Sequence, residues 1–179
     1  MPNKNTFSIP SVKRIISPYI GDGDGWIDPF ANNNKYAEIT NDINPEMPTD
    51  YHMDAIEFMK MFDDDSKDGV LLDPPYSFHQ VVVSYAGYGE RRLHQITPIF
   101  DEASRVVKPG GHVLSFGWNS NGCGMKRYFA ILEIYLIAHG GSHNDTIITV
   151  ERKTATQCKL FPANQPLEMD GQKDGHRSA

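Results

Sequence analysis

Residues 70–76 constrain the fold of this chain most strongly, because an apolar run ends there in a carboxylate and two prolines. The segment reads Val-Leu-Leu-Asp-Pro-Pro-Tyr, and its first three residues are typical of a buried strand. Neither proline has an N–H to donate to a sheet, so the strand must end here. Pro74 also biases Asp73 toward an extended backbone. The sequence predicts a stiff turn at the C-terminal end of a strand, the edge where open α/β sheets bind ligands.

Composition bounds the class of protein. The 179 residues suit one domain with a sizeable core, and no apolar run approaches the roughly 20 residues needed to cross a bilayer. The two cysteines, Cys123 and Cys158, form neither a disulfide nor a metal-ligand pattern. The formal net charge of -6 argues against avid, non-specific DNA binding, which depends on Lys and Arg. We expect a cytoplasmic protein with no metal site and no membrane partner.

Hydrophobic periodicity alternates between strands and helices along the chain. Helices are predicted over residues 11–20 with Ser11 as N-cap, over 55–62, over 92–107 with a kink or a late start at Pro98, and from residue 125 onward. Strands are predicted near residues 26–28 and over 36–40, 70–72, 112–116, 132–138 and 146–150, with a sharp turn over 108–111. The helix between the first two strands is expected to be absent or much reduced.

This order of elements predicts an α/β fold whose mainly parallel sheet carries one antiparallel strand in a C-terminal hairpin. Beyond residue 152 the pattern fades into polar residues, glycine and proline. We therefore expect a domain over residues 1–152 and a flexible tail over residues 153–179.

Asp73-Pro74-Pro75-Tyr76 resembles the catalytic motif of methyltransferases that modify exocyclic amines of bases, above all N6 of adenine. Five other segments resemble motifs of this family in the same order: residues 6–11, 28–31, 41–44, 52–55 and 108–111. The chain is thus similar to class I S-adenosylmethionine-dependent methyltransferases of the DPPY amino-methyltransferase type, including phage and prophage DNA adenine-N6 methyltransferases. The resemblance implies a Rossmann-like fold and S-adenosyl-L-methionine as the methyl donor.

The resemblance also implies a donor-binding set. Asp42 would accept the ribose hydroxyls, as carboxylates do in dinucleotide-binding folds, or it forms an Asx turn before Pro45. Asp54 would accept from the donor's adenine amine, or it caps the helix that follows. Phe7 and Phe30 would line the pocket, or they belong to the core. The full set is Phe7, Ile9, Asp28, Phe30, Ala31, Asp42, Asn44, Asp54 and Ala55.

Residues 32–34 depart from the family, because three asparagines stand where most members have glycines. Asparagine tolerates left-handed dihedrals, so a tight turn can still form there. Its side chain nevertheless fills space that glycine would leave open. A methyltransferase-fold protein without activity, serving as a binding partner, is therefore one alternative.

The catalytic residues implied by the resemblance are Asp73, Pro74, Pro75 and Tyr76. Asp73 and the Pro74 carbonyl would accept the two amine hydrogens and orient the nitrogen lone pair. Tyr76 would stack on a base that has left the duplex. The structural alternative is a Pro-Pro turn with a capping Asp and a packed Tyr. Residues 77–89 either face the site or form a lid. Asn119 and Asn121 either face the site or lie in a solvated turn.

We expect no separate target-recognition domain of the size that sequence-specific relatives carry, either between the motifs or after residue 152. The first function predicted is methylation of adenine N6 in DNA, with nucleic acid as partner and a homodimer left open. An RNA or protein amine methyltransferase is the second, and the inactive binding protein is the third.

Overall fold

The structure is a computed structural model that describes residues 6–75, 96–139 and 145–155. Its described residues form a six-stranded sheet with helices packed on both faces. The elements are, in chain order, a 3₁₀ turn Thr6–Ser8, α1 Pro10–Ile20, β1 Trp26–Asp28, β2 Ile39–Thr40, α2 Ala55–Met59, β3 Lys67–Leu72, α3 Ile96–Val106, β4 Val107–Gly117, a 3₁₀ turn Met125–Arg127, β5 Phe129–Ile137 and β6 Thr146–Lys153.

The strand order in the sheet is β2-β1-β3-β4-β6-β5. The first four strands in that order are parallel, and β6 is antiparallel to both of its neighbours. The predicted fold class, a mainly parallel sheet with one antiparallel strand in a C-terminal hairpin, is confirmed. Because β2, β1 and β3 are parallel neighbours, their carboxyl ends meet at one edge of the sheet.

Alternation along β3 supplies both layers of the core. Val70 and Leu72 face α2 and α3, whereas Leu71 faces α1, and all three are fully buried. On the α1 side, the indole of Trp26 lies so close to Gly69 that a Cβ there would be 2.5 Å from the ring. Any larger residue at position 69 would therefore displace the indole. The apolar run read from the sequence is thus a central strand, buried on both sides.

The second strand is shorter than predicted, covering Ile39–Thr40 instead of residues 36–40. The backbone N–H of Tyr36 donates to the side chain of Asn34, and that of Glu38 donates to Gly23 O. Those groups are therefore engaged outside the sheet, and the ladder with β1 begins only at Ile39. Residues 29–38 contain no helix, as predicted.

Three helix predictions need correction at their ends. The N-cap of α1 is Ile9 and not Ser11, because the helix begins at Pro10, whose missing N–H is harmless in the first turn. Helix α2 ends at Met59 instead of residue 62, since the N–H groups of Met61 and Phe62 bond three residues back. The helix predicted from residue 125 is a single 3₁₀ turn. The described part of helix α3 covers Ile96–Val106 and includes Pro98. Residues 92–95 of the predicted helix lie outside the described residues.

The turn predicted at residues 108–111 lies inside β4. Lys67 pairs with Val107 and Gly69 pairs with His112, so four residues of β4 form an irregularity between two ladder positions. Gly110 has φ +86 there, a conformation that favours glycine. Strands β5 and β6 start or end a few residues outside the predicted ranges, and residues 140–144 of their connection lie outside the described residues.

Glu151 fixes the segment that follows β4. This carboxylate is fully buried on β6 and accepts the backbone N–H groups of Cys123 at 2.7 Å and Gly124 at 2.8 Å. Burial raises the pKa of Glu151, and the two hydrogen bonds partly counter that rise. Gly122 approaches so closely, with φ +52, that a Cβ there would lie 2.1 Å from Glu151 Oε2. One side chain therefore holds the return from β4 toward β5.

We expect Glu151→Gln to lower the free energy of unfolding by about 2 kcal/mol. The new amide N–H₂ faces a backbone N–H, so one buried bond is lost and one donor stays unpaired. The control Glu46→Gln removes the same charge from an exposed residue and should change stability by less than about 0.5 kcal/mol. Urea denaturation of the three proteins measures both, and equal midpoints for Glu151→Gln and wild type would contradict the role assigned to this carboxylate.

Candidate active site

Three carboxylates gather at the edge where the parallel strands end. Asp28 is the last residue of β1, Asp42 lies two residues after β2, and Asp73 directly follows β3. Since β1 lies between β2 and β3, Asp28 is the middle member of the group. Burial is the main cause that raises the pKa of Asp28, and the negative charges of Asp73 and Asp42 raise it further, so the three groups interact. The structure thus brings together the aspartates that the sequence placed in donor-type and catalytic motifs.

Asp28 is fully buried and bonded at both oxygens. The backbone N–H of Phe30 donates to Oδ1 at 2.9 Å, and the Asn34 side-chain amide donates to Oδ2 at 3.0 Å. Burial raises the pKa of Asp28 to about 7, and these two bonds oppose the rise. Asp28 therefore exchanges its proton near neutral pH, in contrast to an ordinary surface aspartate.

The asparagine segment forms the tight turn expected of it. Asn32 takes the left-handed conformation, with φ +52, and its backbone N–H donates to Asp42 Oδ2 at 3.0 Å. The Asn34 amide also donates to Ala31 O at 2.7 Å, so its side chain folds back into the turn. Asn33 is exposed. The Asn34 side chain thus closes the turn after β1, and the backbone N–H of Asn32 ties that turn to Asp42 after β2.

Asp42 has two backbone partners and unused acceptor capacity. Besides Asn32 N–H, it accepts Asn44 N–H at Oδ1, 2.8 Å away. The latter bond is an Asx turn, one of the two alternatives predicted for this residue. Burial raises the pKa of Asp42, while its two hydrogen bonds and the charge of His52 lower it. Each carboxylate oxygen accepts two hydrogen bonds, so the turn leaves lone pairs for hydroxyl donors.

Asn41 is a residue whose role the sequence reading missed. It is fully buried and donates through its amide to Pro29 O at 3.1 Å and Met53 O at 3.0 Å. Its Oδ1 accepts the N–H of Met53 at 3.0 Å. These three bonds lock the turn after β1 to residues 51–54. The signal available in the sequence was a polar residue directly after an apolar strand.

Asp54 caps α2, which confirms one of its two predicted roles. Its Oδ1 accepts the N–H of Ile56 at 3.0 Å and of Glu57 at 3.3 Å. Both bonds use the same oxygen, so the cap engages one side of the carboxylate. Ala55, from the same predicted set, is buried in the core beside Phe58.

The apolar members of the predicted donor set lie in two separate layers. Phe7 packs edge-on against Phe116, with ring centroids 5.0 Å apart, and Ile9 is partly buried in the same cluster. Phe30 belongs to the cluster on the opposite face of the sheet. Ala31 is fully buried in the turn. These positions agree with the core alternative stated for the two phenylalanines, and their contact with a donor stays a prediction.

The turn at residues 73–76, predicted to be catalytic, is partly described. Asp73 is half-buried, Pro74 is buried and Pro75 is half-buried. Tyr76 and residues 77–89 lie outside the described residues. Asn119 and Asn121 are exposed, and the N–H of Asn121 donates to Asn119 Oδ1 at 3.1 Å, which agrees with the predicted turn.

Two general properties complete the description of residues 6–75, 96–139 and 145–155. No helix in these ranges has the length and apolar character needed to cross a membrane. Within the same ranges, no three His, Cys, Asp or Glu residues are grouped in a way that would hold a metal ion.

Comparison with known proteins identifies the fold. No family model and no curated protein matches the sequence. The chain is similar to the 1,6-didemethyltoxoflavin-N1-methyltransferase of Burkholderia thailandensis, solved with 1,6-didemethyltoxoflavin and S-adenosylhomocysteine: TM-score 0.54, 12% identity, 82% of this chain and 78% of that one.

Two further solved structures are similar in fold to this chain. N-methyltransferase NodS of Bradyrhizobium japonicum, solved with S-adenosylhomocysteine, gives a TM-score of 0.52 at 10% identity over 84% of this chain and 89% of that one. TrmN of Thermus thermophilus gives 0.52 at 14% identity over 79% of this chain and 47% of that one. The chain thus spans about half the length of TrmN. These likenesses show that the chain has the Rossmann-like fold of class I methyltransferases.

We expect Asp28 to make stability fall as pH rises from about 4 to about 7. The folded protein holds this proton with a pKa of about 7, whereas the unfolded chain releases it near pH 4. The folded state therefore binds more protons across that window, and Asp28 contributes a slope of at most about 1.4 kcal/mol per pH unit.

The test compares wild type with Asp28→Asn by urea denaturation between pH 4 and pH 8. The stability of wild type relative to the variant should decrease up to about pH 7 and then level off. A difference that is constant across this range would contradict the raised pKa of Asp28, whatever the variant does to absolute stability.

Proposed function

We propose that this protein transfers a methyl group from S-adenosyl-L-methionine to the exocyclic amine of a base, with N6 of adenine in DNA as the first candidate. The observation that carries the proposal is the convergence of Asp28, Asp42 and Asp73 at the ends of three adjacent parallel strands. The motifs on β1 and β2 resemble donor-binding segments, and the motif on β3 resembles a catalytic one. The cocrystallised S-adenosylhomocysteine of two similar methyltransferases supports the choice of donor.

The donor side of the site offers acceptors to a nucleoside. Asp42 keeps lone pairs for both ribose hydroxyls after its two backbone bonds. Asp54 keeps Oδ2 for the adenine amine after it caps α2 through Oδ1. Asn41, which precedes Asp42, bonds to Pro29 O and to both backbone groups of Met53, so the segments that carry these two carboxylates are joined. The residues present therefore fit the donor, which supplies an activated methyl group on a sulfonium.

On the acceptor side, Asp73 and the Pro74 carbonyl would receive the two hydrogens of the amine. An aromatic amine is a weak nucleophile, because its lone pair is delocalised into the ring. Two acceptors favour a pyramidal nitrogen whose lone pair is aimed at the methyl group, so orientation and electrostatics provide the catalysis. Pro74 is buried and lacks an N–H, which holds this carbonyl at the strand end. Tyr76 would stack on the extruded base.

The deciding experiment measures tritium transfer from labelled S-adenosyl-L-methionine to duplex DNA and to ribosomal RNA, with identification of the methylated nucleoside. Label in N6-methyladenine from DNA supports the proposal. Label in RNA alone would replace DNA with RNA as substrate. If calorimetry detects no binding of S-adenosyl-L-methionine, the remaining alternative is a methyltransferase-fold protein without activity that serves as a binding partner. A homodimer, which the sequence leaves open, stays untested.

We predict that Asp42→Ala weakens binding of S-adenosyl-L-methionine at least about 30-fold. Loss of the carboxylate removes two hydrogen bonds to the ribose, each worth about 1 kcal/mol or more when the acceptor is charged. Isothermal calorimetry measures the affinity, with Asp24→Asn as control because Asp24 is an exposed carboxylate. Unchanged affinity of Asp42→Ala for S-adenosyl-L-methionine would show that Asp42 does not bind the ribose.

We predict that Asp73→Ala lowers the single-turnover rate of methyl transfer by roughly 10²–10³, as loss of one positioned electrostatic partner does in other enzymes. Asp73→Asn keeps a carbonyl acceptor and should retain a substantially higher rate than Asp73→Ala. Donor affinity should stay within about threefold of wild type in both variants. Equal rates for the alanine and asparagine variants would contradict the role of this side chain as an acceptor.

A further inference from the structure

The chain has two tryptophans in opposite environments. Trp26 is 3% exposed, whereas Trp118 is 41% exposed. Trp26 packs in the core, as large aromatic residues usually do. Trp118 directly follows β4, at the edge of the sheet that carries the three carboxylates. An indole exposed beside a candidate site is an informative departure, because aromatic residues at the rim of a site are typical binding surfaces.

The ladder between β3 and β4 fixes where Trp118 lies relative to Asp73. Leu72 pairs with Ser115, so Asp73 is level with Phe116 and Trp118 lies two residues beyond that level. Two residues of an extended strand span about 7 Å and neighbouring strands are about 4.8 Å apart. The two Cα atoms are therefore roughly 8 Å apart, a distance that a purine ring bridges.

Continued one residue past the ends of β3 and β4, the alternation of side chains places Trp118 on the same side of the sheet as Asp73. Phe116 faces the α1 side, where it packs on Phe7. Positions two residues apart along a strand share a face, so Trp118 continues the row of Phe116. Asp73, level with Phe116 on the neighbouring strand, belongs to that row too.

The segment that carries Trp118 is anchored at both ends. Gly117 pairs with Ile147 in the ladder of β4 and β6. A few residues later, Glu151 holds the N–H groups of Cys123 and Gly124. A stacking surface is effective when it is rigid, because little conformational entropy is lost on binding. The backbone that carries the Trp118 indole is therefore fixed on both sides, and the indole does not lie at the tip of a long loop.

We infer that Trp118 is a stacking platform for an unpaired nucleobase presented to Asp73, an inference that rests on the proposed function. The chain carries a formal net charge of -6, so phosphate contacts contribute less to affinity than in a basic protein. Stacking of a base on an aromatic ring is independent of salt-bridge chemistry and tolerates every base. The ligand class is therefore single-stranded nucleic acid, or the extruded base of a duplex.

Tryptophan fluorescence tests the inference directly, because Trp26 is buried and a stacked base quenches only Trp118. Wild type is titrated with a short oligo-dA and with an abasic oligomer of equal length. We expect quenching by oligo-dA and none by the abasic oligomer. Trp118→Phe should bind oligo-dA within about threefold of wild type but without quenching, and Trp118→Ala should bind about 10- to 100-fold more weakly.

Donor affinity by calorimetry and tritium transfer are measured on the same proteins. Donor affinity should be unchanged in both variants, because Trp118 follows β4, which β3 separates from the strands that carry Asp28 and Asp42. Equal binding of oligo-dA by Trp118→Ala and wild type, or equal quenching by the abasic oligomer, overturns the inference while methyl transfer by wild type leaves the proposed function standing. Wild type that neither binds nor methylates nucleic acid overturns both.

Discussion

The parallel pairing of β1 with β2 and β3 is the constraint on which the candidate site depends. Ile27 is paired with Ile39 on one side and with Val70 on the other, so these residues lie at one level. Asp28 is one residue beyond that level, and Asp42 and Asp73 are each three residues beyond it on either side. A shift of one residue in either pairing would turn every side chain of the strand to the opposite face. The register that buries the core thus also assembles the carboxylates.

Grouping three carboxylates is unfavourable for folding, so the structure must offset their desolvation and repulsion. Backbone N–H groups bond to Asp28 and Asp42, and Asn34 adds a side-chain bond. A pKa of about 7 lets Asp28 carry a proton for part of the time at neutral pH, which reduces the charge of the group. Carboxylates whose pKa is raised by burial and by neighbouring negative charge are typical of functional sites.

Much of the fold follows from local sequence, because strand type depends on short apolar runs and on breakers. The prolines after Leu72 predict the end of β3, and β6 has the antiparallel direction expected of a hairpin. The start of β2 could not be predicted, since it depends on the acceptor of the Glu38 backbone N–H. That acceptor is the carbonyl of Gly23, which is distant in sequence. Within the site, the hydrogen bond of the Asn34 amide could not be predicted either, because its acceptor is the carboxylate of Asp28, six residues earlier.

Under the proposed function, the electrostatics of this edge favour the donor over the product. Rossmann-like folds usually place a helix N-terminus, with its positive dipole, after the first strand. Residues 29–38 contain no helix here, and the N–H groups of Phe30 and Asn32 already bond to aspartates. The described carboxylates at this edge therefore face no helix N-terminus after β1, and their negative charge would attract a cationic sulfonium more than the neutral thioether left after methyl transfer. Interactions of unit charges across several ångströms of protein are on the order of 1–4 kcal/mol, enough to favour exchange of product for fresh donor. A cationic sulfonium does not need the positive potential that a helix N-terminus after β1 would supply. The reduced connection between β1 and β2 is therefore consistent with turnover.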